Sequence, residues 1–238
     1  MSKIAVIAGV GPGLGAAIAR KFADEGCNLA LLSRSSAYSI NLSKRLEDTG
    51  ISAIPIPTDI TDVGQVTDSF AQIRQELGVP DILVNHAGNA AWGNLSELTA
   101  EAFENSWRVC TLGAFLCVKQ VVPGMIEKGE GTILFSGATS AVRGRSGAIA
   151  FSSAKFAMRG LASSLAREVG PQGIHVAHVI IDGIIDSPNL RERYKLSENE
   201  PLLKPDAIAE TYWALVQQER SAWSFEVDVR PHNEEFFT

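Results

Sequence analysis

The chain has 238 residues, the size of one α/β domain and too few for a nucleotide domain joined to a separate substrate domain. Hydrophobic residues make up 45%, enough for an ordinary core. A net charge of −6 without a basic cluster argues against nucleic acid as a partner.

Residues 4–8 read as a short apolar strand that runs into a glycine-rich turn. Leu14, Ile18 and Phe22, four apart, mark the apolar side of a helix that ends by Gly26. Residues 29–32 are a second strand, and residues 40–46 a weaker helix closed by Gly50. Residues 52–57 are a third strand containing Pro55 and Pro57. Proline cannot donate to a ladder, so this strand belongs at a sheet edge. The third strand is the edge in the order 3-2-1-4-5-6. Val66, Phe70, Ile73 and Leu77 mark a third helix, and residues 81–84 a fourth strand. Thr99 can cap a long helix running to about Glu127, with Phe103, Trp107 and Val118 among its apolar residues. Residues 132–135 are a fifth strand, residues 150–169 a helix, and residues 175–181 a sixth strand. Pro205 suits the first turn of a helix carrying Ile208, Tyr212 and Leu215. Phe225, Val227 and Val229 alternate as a last strand. The alternation predicts an α/β fold over residues 1–238: a doubly wound, Rossmann-type parallel sheet of about seven strands, order 3-2-1-4-5-6-7, with helices on both faces.

No apolar run approaches ~18 residues, so neither a membrane span nor a membrane partner is expected. Residues 1–10 enter a strand directly, without the basic-then-apolar leader of a secretory signal. Cys27, Cys110 and Cys117 include no close pair. Cys110 and Cys117 would lie ~10 Å apart on a helix, too far for a bridge. Three reduced thiols and a cytoplasmic location are the expectation. His175 and His178 are three apart on a strand and so face opposite ways; no metal is expected there.

The first turn, Gly9-Val10-Gly11-Pro12-Gly13-Leu14-Gly15, follows a strand and opens a helix. Glycines there allow a tight turn and bring a pyrophosphate close to main-chain N–H groups at a helix N-terminus. Gly9, Gly13, Leu14 and Gly15 are therefore candidate dinucleotide contacts. An NAD-specific site usually carries Asp or Glu ~20 residues further on, at the ribose 2′-hydroxyl. Here the second strand ends in Ser33-Arg34-Ser35-Ser36. A guanidinium without a carboxylate suits a 2′-phosphate, so Ser33 and Arg34 favour NADP(H) over NAD(H).

These segments together resemble the short-chain dehydrogenase/reductase family over nearly the whole chain. The Gly9/Gly13/Gly15 turn matches the family's cofactor loop, with Ala8 where a Thr is usual. Asp59-Ile60 matches the acidic segment beside the adenine. Asn85-His86-Ala87-Gly88 resembles its N-N-A-G segment, with His86 at the second Asn. Phe151-Ser152-Ser153-Ala154-Lys155 resembles its Y-x-x-x-K signature. By this resemblance Asp59, Ile60, Asn85, Ala87, Gly88, Lys155 and Gly183 contact the cofactor, and residues 186–205 form a substrate lid.

The catalytic positions depart from the family pattern. Phe151 stands at the general-acid Tyr, Ala138 at the substrate-polarising Ser and Cys110 at the helix Asn; Lys155 alone is retained. The P-G segment after the sixth strand is Asp182-Gly183, and the end of the chain lacks the usual D-G-G. Ser136, Thr139, Ser140, Arg143 and Ser152 are nearby substitute donors. Two readings follow: an NADP(H)-dependent oxidoreductase acting on an unknown carbonyl/alcohol with a non-standard proton donor, or a catalytically inactive NADP(H)-binding sensor or partner subunit. The resemblance also implies a homodimer or homotetramer built on residues 101–127 and 151–169, where Gly113, Ala114, Ala157, Gly160 and Ala162 would allow close helix approach.

Overall fold

The computed structural model describes residues 2–188, 190, 196 and 200–234. In chain order its elements are β1 (Ile4–Ala8), α1 (Leu14–Asp24), β2 (Asn28–Ser33), α2 (Ser36–Glu47), β3 (Ala53–Pro57), α3 (Val63–Glu76), β4 (Ile82–Asn85), α4 (Ala100–Trp107), α5 (Gly113–Lys128), β5 (Gly131–Ser136), α6 (Ile149–Val169), β6 (Ile174–Ile181), β7 (Ile184–Ile185), β8 (Leu202–Leu203), α7 (Pro205–Val216) and β9 (Glu226–Val229).

Strand side chains alternate between two cores, as their period of two requires. Ala5 and Ile7 of β1 join Leu29, Leu31, Val84, Leu134 and Val179 under α1, α2 and α7. Val6 and Ala8 join Ala30, Leu32, Leu83, Ile133 and Phe135 under α3, α5 and α6. Both faces of the sheet are therefore buried, as expected of a parallel sheet. The seven-stranded sheet runs β3-β2-β1-β4-β5-β6-β9, every pair parallel. The prolines fall on β3, which has β2 as its one neighbour in that order. Phe22 of α1 meets Trp213 of α7 edge-on, ring centres 5.3 Å apart, which closes one helical layer.

Four features differ from the sequence expectation. The long helix is not α-helical throughout: residues Arg108–Leu112 form a π-helical turn, in which Gly113 N–H reaches back to the Arg108 carbonyl. Thr99 caps the helix as expected, accepting from Ala102 N–H at 3.1 Å. Ala100–Lys128 is also long and apolar enough to cross a membrane by length and composition, contrary to the expectation of no such segment. Half of its most apolar window is buried, with Cys117, Val121 and Met125 in the core, so it serves as a core helix here.

Of the expected lid, residues 186–205, residues 189, 191–195 and 197–199 lie outside the described residues. Its C-terminal part is not loop, because β8 pairs with β7 and α7 begins at Pro205. Small residues assigned to a subunit contact are partly used within the chain. Ala114 and Ala162 are buried, and a Cβ at Gly113 would come within 2.5 Å of Ile60 Cδ1.

Candidate active site

A cleft of about 930 Å³ runs across the carboxyl ends of the strands, where ligands bind in open α/β sheets. Six of the seven strand ends contribute: Gly9 after β1, Arg34 after β2, Asp59 after β3, His86 after β4, Ser136 on β5 and Gly183 after β6. The glycine turn is built for close approach. Gly9 has φ 109°, and a Cβ on it would collide with the Ala87 main chain. A Cβ at Gly15 would meet the Gly9 carbonyl at 2.5 Å. Gly13 has φ 138° and faces Ser187. Leu14 turns its side chain into the core, leaving its main chain at the helix start. This cradle has no room for side chains and fits a dinucleotide pyrophosphate.

At one end of the cleft, Ser33, Arg34, Ser35 and Tyr38 form the wall. The Ser33 hydroxyl is engaged by the Ser35 carbonyl at 2.8 Å, while the Arg34 side chain is exposed. Asp59 accepts from the Thr61 N–H at 2.9 Å and from its hydroxyl at 2.8 Å. The Thr61 N–H, above all, holds the Asp59 carboxyl below the usual range, helped by Arg34 and Arg108. Ile60, Ala87 and Gly88 also line the cleft. Asn85 lies beneath it, buried at the end of β4.

At the other end, Phe151 and Lys155 project from α6 beside Ala138 and Val109. Lys155 is buried and donates to the Ser136 carbonyl at 2.7 Å. Burial pushes its ammonium below the usual lysine range. The Trp92 ring lies 5.5 Å from the Phe151 ring, and the Arg145 guanidinium 5.1 Å from the Trp92 centre. The loop carrying Trp92 is held by Gly93 N–H on the Gly147 carbonyl at 3.0 Å. Cys110 sits in the π-helical turn and gives its thiol to the Asn89 carbonyl at 3.8 Å. Cys27, Cys110 and Cys117 are all free and buried.

Among the candidate donors, Ser136 reaches the cleft wall. Thr139 donates to Asp182 at 2.6 Å, and Ser140 and Ser152 are buried. The Ser136 hydroxyl bridges His86 Nδ1 at 3.0 Å and the Tyr212 hydroxyl at 2.6 Å. Tyr212 is fully buried, and a buried donor without an acceptor costs ~1–3 kcal/mol. With Tyr212 donating to Ser136 and Ser136 donating to Nδ1, both hydroxyl hydrogens have an acceptor. His86 is then the tautomer with its proton on Nε2. Burial, followed by the Lys155 charge, pushes His86 down to about 4, so the ring is neutral near pH 7. Sequence reading missed Trp92 and Tyr212. A lone loop Trp carries no signal of what it packs on, and Tyr212 reads as a core position of its helix.

The site's geometry can be set beside known proteins. The family model for short chain dehydrogenase matches residues 3–197. The chain belongs to this family of oxidoreductases. It is 29% identical over 219 residues to the uncharacterized oxidoreductase YxjF of Bacillus subtilis, covering 92% of this chain and 85% of that protein. A short-chain dehydrogenase from Rhodopseudomonas palustris superposes with a TM-score of 0.82 at 32% identity, covering 97% of this chain and 99% of the other. A variant of actinorhodin polyketide ketoreductase, solved with NADPH, superposes with a TM-score of 0.89 at 25% identity, covering 97% and 96%.

Proposed function

We propose that the protein is an NADP(H)-dependent oxidoreductase acting on a carbonyl/alcohol pair, with Lys155 as its proton donor. The observation that carries this reading is the position of the Lys155 ammonium. It is buried in the cleft wall, beside a Phe ring at the position of the family's general acid.

Gly9, Gly13, Leu14 and Gly15 would hold the pyrophosphate, Asp59 and Ile60 the adenine, and Ala87, Gly88, Lys155 and Gly183 the nicotinamide half, with Asn85 supporting the turn from below. Arg34 and its flanking serines face the 2′-phosphate. The related ketoreductase solved with NADPH supports the choice of NADP(H). When bound, the cofactor supplies the hydride.

The protein must then supply a proton to the substrate oxygen. Phe151 and Ala138 have none to give. An ammonium carries three N–H bonds, and the Ser136 carbonyl takes one of those on Lys155. A lysine shifted down toward working pH is a better acid than an ordinary one. Thus the Ser136 carbonyl aims Lys155, and the walls of Phe151 and Val109 exclude water around it.

The inactive-sensor reading rests on the same three positions, Phe151, Ala138 and Cys110, and predicts cofactor binding without turnover. Isothermal titration of NADPH, followed by anaerobic mixing with activated carbonyl compounds, separates the two. Binding with turnover supports the enzyme; binding without turnover of any carbonyl would replace it with the sensor. The free, buried cysteines suit a cytoplasmic protein. The outer helix faces expose Phe103, Trp107, Phe115 and Phe156, which suits a homodimer or homotetramer.

A further inference from the structure

We infer that the substrate accepted in this cleft is a quinone: a planar conjugated ring whose reduction leaves a phenolate rather than an alkoxide. The inference rests on the oxidoreductase reading above and deepens it.

Two independent features converge on this class. The first is the shortage of donors. Phe151 and Ala138 face the cleft where hydroxyl groups would meet a substrate oxygen, and Thr139 is committed to Asp182. An aliphatic ketone becomes an alkoxide far more basic than any side chain here, so its reduction depends on strong donors in the transition state. A quinone becomes a hydroquinone anion whose charge spreads over the ring. A phenol titrates near ~10, in the ordinary range of a lysine ammonium, so one lysine suffices to protonate it.

The second feature is the wall itself. Phe151 lines the cleft, and Trp92 packs against Phe151 at 5.5 Å and 49°, a tilted aromatic pair. Trp92 is 54% exposed, so a second planar ring has access to it. Arg145 at 5.1 Å caps the stack, and its charge draws electron density toward the rim and suits an electron-rich or anionic edge. Arg143 belongs to the same loop, which has no carboxylate between residues 138 and 148. Of the acidic residues beside this loop, Asp182 accepts from Thr139 at 2.6 Å and Glu97 is turned to the Asn94 N–H at 3.2 Å.

The step balances. With the reduced cofactor bound, a C–H bond of the nicotinamide would break and an O–H bond would form at one quinone oxygen, leaving the charge on the other oxygen of the hydroquinone monoanion and the cofactor oxidised. Lys155 Nζ–H then transfers one proton to the oxyanion and is reprotonated from solvent.

The test uses the full chain. Calorimetry with the NADP⁺-loaded protein and 1,4-naphthoquinone reads binding without turnover, and Trp92→Ala should weaken it ~10-fold, the size of one lost aromatic contact. NADPH oxidation, corrected for the uncatalysed rate, should be ~100-fold faster with 1,4-naphthoquinone than with cyclohexanone, with Trp92→Ala raising KM and leaving NADPH affinity unchanged. Equal rates for the two compounds would overturn the inference, as would unchanged quinone affinity in Trp92→Ala, while the oxidoreductase reading stands. Failure to bind NADPH would overturn both.

Discussion

The Lys155 ammonium nitrogen lies 5.6 Å from the centre of the Phe151 ring, one turn earlier on the same helix. The pair has the i,i+4 spacing that brings two side chains together on one helix face. A hydroxyl on that ring would be beside the ammonium, which would depress its pKa. Phe151→Tyr, with Ala138→Ser and Cys110→Asn, should therefore raise the reduction of activated diketones by at least ~10²-fold. Steady-state NADPH oxidation measures this. A triple variant that binds NADPH normally and gains nothing would show that the pocket itself has changed.

The proposed preference for NADP(H) rests on Arg34, exposed at the cleft end opposite Lys155. A lost charge-assisted contact to the 2′-phosphate is worth ~10–100-fold in affinity. Arg34→Ala should weaken NADPH by that factor and leave NADH nearly unchanged. Titration calorimetry with both cofactors decides it, and equal wild-type affinities would rule out the assignment.

Two buried histidines set a pH window for stability. His86 and His178 are each pushed down to about 4, mainly by burial. His178 also contacts Glu226 at 3.1 Å, and Gly137 packs so closely on its other nitrogen that a Cβ would collide. An unfolded imidazole titrates near ~6.5. Between these values the unfolded chain binds more protons than the folded one. The stabilisation is thus complete above pH ~6.5 and is lost as pH falls toward 4, by ~3 kcal/mol for each ring. Urea midpoints measured from pH 7.5 to 4.5 should fall, and less so in His178→Gln. Identical profiles for variant and wild type would remove His178 from the account.

We propose a subunit contact at Trp107 and Phe115, 40% and 39% exposed on α4 and α5. Exposed aromatics of this size on adjoining helices favour a subunit contact. Light scattering should give a multiple of 25.5 kDa, and Trp107→Glu should dissociate it. A 25.5 kDa wild-type species at micromolar concentration would contradict the proposal.

The sequence carried the sheet order because its markers are local. The glycine turn directly follows the apolar run at residues 4–8, and Pro55 and Pro57 argue against a central position for β3. Lys155 fixed the register in which the family resemblance aligns Phe151 and Ala138 with catalytic positions. What escaped was set by packing between distant segments. Ser136, Tyr212 and His86 come from β5, α7 and the end of β4, and their contact spans 50 and 76 residues. Trp92 meets Phe151 because Gly93 is pinned to Gly147. The π-helical turn at Cys110 has no composition signal distinguishing it from the helix on either side.

Lys155 as proton donor is tested most directly by the pH dependence of single-turnover NADPH oxidation with 1,4-naphthoquinone, at saturating cofactor, in wild type and Lys155→Met. Only the protonated amine can donate, and burial lowers its pKa. The wild-type rate should therefore fall as pH rises through a value below that of an ordinary lysine. The variant should be at least ~10²-fold slower at neutral pH, with that titration absent. A Lys155→Met protein with the wild-type rate and the same pH profile would contradict the assignment.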